Sequence, residues 1–291
     1  MIYVVMGPTC SGKTEVANAI MDKLGCEAIN FDAFQIYKDM NVGTSKLEQS
    51  DPHYAKYHLL DIVPPSESFS VMQFQKLARE EITKALSKNK DVVLVGGTGL
   101  YLRATIYDYE FEVEEARDDS DLEKLDNHTL YEMLQKLDYE ASLKIHENNR
   151  KRLLRAVSMI RSSELTKSER INSQKHEIIY PEIKLLFLSP NRDILYEKIN
   201  SRVIDMVNNG LVDEVKSLLE KYDLSITARQ GIGYKEIIDF LHGNCSLDDA
   251  IALIQKRTRN YAKRQVTFFK NQFEYELFET KEELLKSIKG E

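Results

Sequence analysis

Apolar runs of strand length alternate with helically spaced apolar positions along the first hundred residues. Ile2–Val5 and Asp91–Val95 are compact enough to be buried strands, and Glu27–Asn30 reads as a third. Between them, Glu15–Leu24 reads as a helix, and Val71, Phe74, Leu77, Ala78, Ile82 and Ala85 recur at helical spacing. Strands separated by helices, with polar residues just past the strand ends, predict an α/β fold: a parallel sheet covered by helices on both faces. The pattern changes between about 112 and 172. There an acidic stretch gives way to helical periodicity at Leu130, Met133, Leu134 and Leu137, with no convincing strand. A further strand at Ile183–Leu188 should rejoin the sheet, followed by helices at Arg192–Asn208, Leu211–Lys221, Tyr234–Leu241 and Leu247–Phe269. The expected organisation is a core from 1–111 and 173–291, interrupted by a small all-helical insertion over 112–172.

Composition narrows the class. The chain has 291 residues, 42% hydrophobic and 30% charged, as ordinary globular proteins do. Its apolar runs are far shorter than a membrane span, and Met1 leads straight into a core strand, so no signal peptide is expected. Cys10, Cys26 and Cys245 are few, odd in number and widely spaced, which suits a reducing, cytoplasmic setting. A net charge of -7 argues against indiscriminate nucleic-acid binding. Two segments run against that average: Arg150-Lys151-Arg152 with Arg155, and Lys256-Arg257, Arg259, Lys263-Arg264.

The densest chemistry lies at Gly7-Pro8-Thr9-Cys10-Ser11-Gly12-Lys13-Thr14, a full match to the phosphate-loop pattern, placed between a strand and a helix. Such a loop wraps backbone N–H groups around a phosphate chain at a helix N-terminus. Lys13 adds positive charge and the Thr14 hydroxyl can ligate magnesium. The fold is therefore expected to be of the P-loop type. Cys10 reads as a small residue in the loop, or as an oxidation-sensitive one.

Three further places are candidates. Asp32 lies just past the second strand, where a carboxylate could accept a proton from a substrate hydroxyl or amine, or simply cap a turn. Gly96-Gly97-Thr98-Gly99-Leu100-Tyr101 follows the third strand, and its glycines allow close approach of backbone to ligand. That strand lacks the terminal acid which holds magnesium in many phosphate-loop NTPases. Arg202 could neutralise a leaving phosphate or diphosphate. The late runs Gln230-Gly231-Ile232-Gly233-Tyr234-Lys235-Glu236 and Thr258–Gln265 mix aromatic and basic residues that could grip an RNA backbone, or form a charged helix.

Taken in order, GPTCSGKT, DAFQIYKDMNVGTSK from Asp32 to Lys46, GGTGLYL, Arg202 with Met206 and Gly210-Leu211, GIGYKE and TRNYAKRQ closely resemble the tRNA dimethylallyltransferase family from about Tyr3 to Phe269. The resemblance implies transfer of a five-carbon prenyl group from dimethylallyl diphosphate to N6 of adenosine 37, beside the tRNA anticodon. Asp32 would be the general base, with Thr98 and Arg202 also at the reacting centre. Gly7, Thr9, Cys10, Ser11, Gly12, Lys13 and Thr14 would hold the diphosphate, Thr14 through Mg2+. The anticodon stem-loop would be met by Asp32, Ala33, Phe34, Gln35 and Thr98, and by Lys151, Arg152, Leu153, Leu154 and Arg155 in the insertion, with Arg117 as a further contact. A cytoplasmic monomer is expected.

The chain departs from the family pattern at Ala33, where serine is usual, and at Cys10, where alanine is common. Tyr139 stands for a typical proline and Phe268 for tryptophan. Three other readings share the phosphate loop: a small-molecule kinase in which Asp32 activates a hydroxyl toward ATP, a prenyltransferase acting on free adenine nucleotides, and a nucleotide-gated RNA-binding module.

Overall fold

The computed structural model describes residues 1–109, 111, 119–161 and 177–288. Within them the chain forms two compact units, Met1–Ile106 with Tyr180–Glu291, and Tyr107–Ile179.

The first unit is built on six parallel strands in the order β3-β2-β4-β1-β5-β6. These are β1 (Ile2–Met6), β2 (Glu27–Asn30), β3 (Tyr57–His58), β4 (Val92–Gly96), β5 (Ile183–Leu188) and β6 (Glu276–Phe278). β1 is central, with Val4 paired to Leu94 on one side and Leu185 on the other. All five of its residues are buried, because helices cover both faces. That is why it reads as an unbroken apolar run rather than an alternating one. The helix Lys13–Leu24 packs Val16, Ala17, Ile20 and Met21 on the sheet, and the C-terminal helix Lys281–Ser287 adds Leu284 to the same cluster. The helix Val71–Ser87 starts at a capping box in which Ser70 accepts from the Gln73 N–H while the Gln73 side chain reaches back to Ser70. A second cluster joins Val203, Leu211, Val215, Tyr234, Ile237 and Ile254 to the loop residues Ile36, Tyr37 and Met40.

The expected strands and later helices are present, and the long helix runs Leu247–Gln272, three residues past Phe269. The phosphate-loop helix starts at Lys13 rather than Glu15, since Gly12 takes the cap position without a side chain. Strands β3 and β6 were not expected. They have two and three residues at the sheet edges, too short for any periodicity.

The second unit contains helices Ser120–Glu123, Asn127–Leu137, Tyr139–Lys144 and Arg150–Arg161 around a core that includes Leu122, Leu130, Leu134, Leu153 and Val157. Arg150 ties the unit together, donating to the carbonyls of Leu125 and Glu123 at 2.7 and 2.6 Å. The helix that follows exposes Lys151, Arg152 and Arg155 and half-buries Leu154, whereas Leu153 is fully buried. Leu153 thus serves packing and offers no side-chain surface to RNA. Arg117 lies outside the described residues.

Candidate active site

The loop after β1 is shaped by two residues in the left-handed region, Cys10 at φ 63° and Gly12 at φ 91°. No side chain caps the helix that begins at Lys13, which leaves its first N–H groups open to a ligand. Lys13 curls back so that Nζ donates to the Pro8 carbonyl at 2.6 Å. The Ser11 hydroxyl is buried without a hydrogen-bond partner among the described residues. Open amides, an orphaned hydroxyl and an enclosed ammonium are together what an anion would satisfy. Burial lowers the Lys13 pKa to about 8, against the opposing charge of Asp32 and with the help of Arg202. An incoming phosphate would therefore restore its full charge.

The loop is held in register from a distant helix. Gln265 accepts from the Thr9 N–H at 2.9 Å and donates to the Gly97 carbonyl at 2.8 Å. A side chain at position 97 would collide with it, since a Cβ there would sit 2.3 Å from Gln265 Nε2. This explains the second glycine of the Gly96–Gly99 run.

Asp32 sits beyond the end of β2, in a turn it partly makes itself. Its Oδ1 accepts from the Phe34 N–H at 2.9 Å and from the Gln35 N–H at 3.4 Å. The Thr98 hydroxyl accepts from the Ala33 N–H at 3.0 Å, and the Thr98 N–H donates to the Phe31 carbonyl at 3.3 Å. Thr98 thus latches the end of β2 to the end of β4 and lines neither of the cavities described below.

Arg202 reaches the phosphate loop from the helix Arg192–Asn208. It donates to Thr9 Oγ1 at 3.1 Å, approaches Cys10 Sγ at 3.5 Å, and donates to the Thr44 carbonyl at 3.3 Å. Gln35 Nε2 donates to that same carbonyl at 3.1 Å. The Thr44 loop is positioned in turn by Glu214, whose carboxylate accepts from the N–H groups of Asn41, Val42 and Gly43 at 2.9, 2.7 and 3.1 Å, and from the Tyr234 hydroxyl at 2.8 Å.

Two cavities adjoin these groups. The larger, about 470 Å³, is lined by the phosphate loop, Asp32, Lys198, Arg202 and Lys281. The smaller, about 280 Å³, has a predominantly apolar wall of Phe34, Ile199, Val203, Met206, Ile232 and Ile254, with Gln230, Thr258 and Arg264 also on its lining. Thr9, Asp32, Thr44, Arg202 and Tyr261 line both. The carboxylate therefore stands at the junction of a cationic chamber and an apolar one. Burial raises the Tyr261 pKa far above its ordinary value, so its phenol stays protonated there.

Sequence reasoning missed the roles of Tyr261, Gln265 and Glu214. The first two were placed in a segment expected to grip RNA. Their four-residue spacing, which sets both on one helix face, was the available signal. The basic residues of that run are partly engaged within the fold, Arg257 with the buried Glu236 and Arg259 with Asn200 at 2.5 Å.

Among the described residues no three His, Cys, Asp or Glu side chains converge as metal ligands. Thr14 is exposed and lines the larger cavity. That donor set fits magnesium, which keeps waters and takes its other ligands from phosphate oxygens rather than from an all-protein cage.

The family model for IPP transferase matches residues 35–272. The tRNA dimethylallyltransferase of Geobacillus thermodenitrificans is 40% identical over 285 residues, covering 96% of this chain and 90% of its own. That of Bacillus licheniformis is 37% identical, with the same coverage. Among solved structures, the full-length tRNA isopentenylpyrophosphate transferase of Bacillus halodurans superposes with a TM-score of 0.73 at 34% identity, over 98% of this chain and 94% of that one. A eukaryotic dimethylallyltransferase acting on tRNA gives 0.82 at 27% identity, over 99% of this chain and 75% of that one. A phosphate-loop α/β core with this site, matched along nearly its whole length, places the chain in the IPP transferase family, alongside the tRNA dimethylallyltransferases.

Proposed function

We propose that this protein transfers the dimethylallyl group of dimethylallyl diphosphate to the exocyclic N6 amine of adenosine 37 in a tRNA anticodon loop, releasing diphosphate. The observation that carries this reading is the position of Asp32 between a phosphate chamber and an apolar one. The larger chamber suits the diphosphate. The smaller, walled by aliphatic side chains and Phe34, suits a five-carbon tail that presents no hydrogen-bonding group.

An aromatic amine is a weak nucleophile, so a base that takes its proton as the C–N bond forms lowers the barrier. Asp32 Oδ1 stays held by the Phe34 and Gln35 N–H groups, and Oδ2 takes the proton from N6. The allylic C–O bond breaks as the C–N bond forms, and negative charge grows on the departing diphosphate. Lys13, the open N–H groups of the loop and Arg202 face that charge. Thr14 would hold a magnesium ion that neutralises part of it. The target base must leave the anticodon stack to reach Asp32, where Phe34 and Gln35 would meet it. Lys151, Arg152 and Arg155 are exposed cations suited to the RNA backbone. The protein is proposed to act as a cytoplasmic monomer. Among the described residues no helix is long and apolar enough to cross a membrane.

A kinase acting through the same loop would fill the apolar chamber with its hydroxyl substrate and consume ATP, so the two readings part on the donor. Labelled dimethylallyl diphosphate, offered with magnesium and an unmodified anticodon stem-loop, should place its label on the adenine. Parallel γ-labelled ATP should be left intact. Label remaining on the donor while ATP is consumed would overturn the reading in favour of a kinase.

A further inference from the structure

Four cationic side chains line the larger cavity. Lys13, Lys198 and Arg202 come from the two helices that flank the phosphate loop, and Lys281 comes from the first turn of the C-terminal helix. The alkyl stem of Lys281 lies across Gly12, so closely that a Cβ on Gly12 would sit 2.8 Å from Lys281 Cδ. The ammonium of Lys281 pairs with the Glu15 carboxylate, which lines the same cavity one residue after Thr14.

This pair is set in an unusual place. Glu15 puts a negative charge beside a chamber that otherwise attracts anions, where it would repel an entering diphosphate. Both partners are solvent-accessible, with side-chain exposures of 36% for Lys281 and 68% for Glu15. Exposed ion pairs of this kind contribute little to stability and part easily. The helix carrying Lys281 does not depend on the pair to dock, because Leu284 and Ile288 are buried against the phosphate-loop helix and Lys23 Nζ donates to the Ile288 carbonyl at 2.5 Å.

Resting on the reading of the larger cavity as a diphosphate site, we propose that Lys281 is a further diphosphate-binding residue and Glu15 its resting counter-ion. The ammonium cancels the Glu15 charge while the chamber is empty. When diphosphate arrives, Lys281 turns from Glu15 to a phosphate oxygen, its stem remaining over Gly12. The two members of the pair then have opposite effects on binding, which a merely structural ion pair would not show.

The test is calorimetric titration of the full chain with inorganic diphosphate, with and without magnesium, at fixed ionic strength. Lys281→Met keeps the stem over Gly12 and removes the charge, and should weaken binding about tenfold, the scale of one charge-assisted hydrogen bond. Lys281→Arg should retain most of the affinity. Glu15→Gln should tighten binding several-fold by freeing the ammonium and removing a repulsive charge. Thermal melting of each variant reports on folding, and all three should melt close to the unsubstituted protein. Equal weakening by Lys281→Met and Glu15→Gln, or no change from either, would overturn the proposal while leaving the diphosphate site intact. Failure of the unsubstituted protein to bind diphosphate would overturn the site reading and this inference together.

Discussion

The two chambers that meet at Asp32 are made in different ways. The phosphate chamber is organised around one continuous loop, which supplies backbone N–H groups, two left-handed residues and Lys13, with further cations brought in by other helices. The apolar chamber is assembled from side chains on separate segments, Phe34 from one loop, Ile199, Val203 and Met206 from one helix, Ile232 from a turn and Ile254 from another helix. On the proposed reading, the first recognises charge through loop geometry, held in register by Gln265. The second recognises volume, so its selectivity depends on the size of individual side chains. Substitutions should therefore separate the two cleanly.

The largest effect is expected at the junction. Asp32→Ala should lower kcat by about 10²- to 10⁴-fold while inorganic diphosphate still binds, as single-turnover transfer and calorimetry would show. Loss of diphosphate binding along with turnover would mean that Asp32 belongs to the phosphate chamber and that the division is false. Next, Val203→Phe should fill the apolar chamber and raise KM for dimethylallyl diphosphate about ten- to hundredfold. Binding of inorganic diphosphate, which has no tail, should not change.

The phosphate chamber should also show its own pH dependence. Protonated Lys13 is the form that binds an anion. Its pKa in the free site is about 8, so affinity is full below that pH and declines above it, by up to about tenfold per pH unit until the higher pKa of the complex is reached. Lys13→Arg, charged throughout, should flatten the profile. A smaller consequence is structural. Gln265→Ala removes the bonds to Thr9 and Gly97, and should cost about 2 kcal/mol in urea unfolding with the phosphate loop loosened. The smallest concerns neither chamber: Lys151→Ala should weaken RNA binding and reduce the slope of log affinity against log salt by about one, with diphosphate binding unaltered.

The same contrast explains what could be read from the chain. The phosphate loop was legible because its chemistry is compressed into eight consecutive residues, and β1 and the helix around it follow from simple patterns. Arg202 was placed by family resemblance; helical spacing alone does not distinguish it from any surface arginine. The apolar chamber was illegible, since Ile199, Val203 and Ile254 carry the spacing of ordinary core positions and contribute equally to packing. Gln265 and Glu214 escaped for another reason. Each acts on backbone groups about 170 or more residues away in sequence, so their function exists only once the chain has folded. Edge strands β3 and β6 owe their existence to neighbours already in place rather than to their own residues.

The strand order has a consequence for synthesis on the ribosome. β1 is made first and sits at the centre, yet one of its two neighbours, β5, begins only at Ile183. Arg202, Tyr261 and Gln265 follow later still. Pairings of such long sequence separation form slowly, so the nascent sheet waits with one side of its central strand open until most of the chain has emerged. A polypeptide ending before β5 would carry the entire phosphate-loop motif yet lack Arg202 and Gln265, the side chains that reach it from later helices. Such a fragment should therefore bind diphosphate more weakly than the full chain.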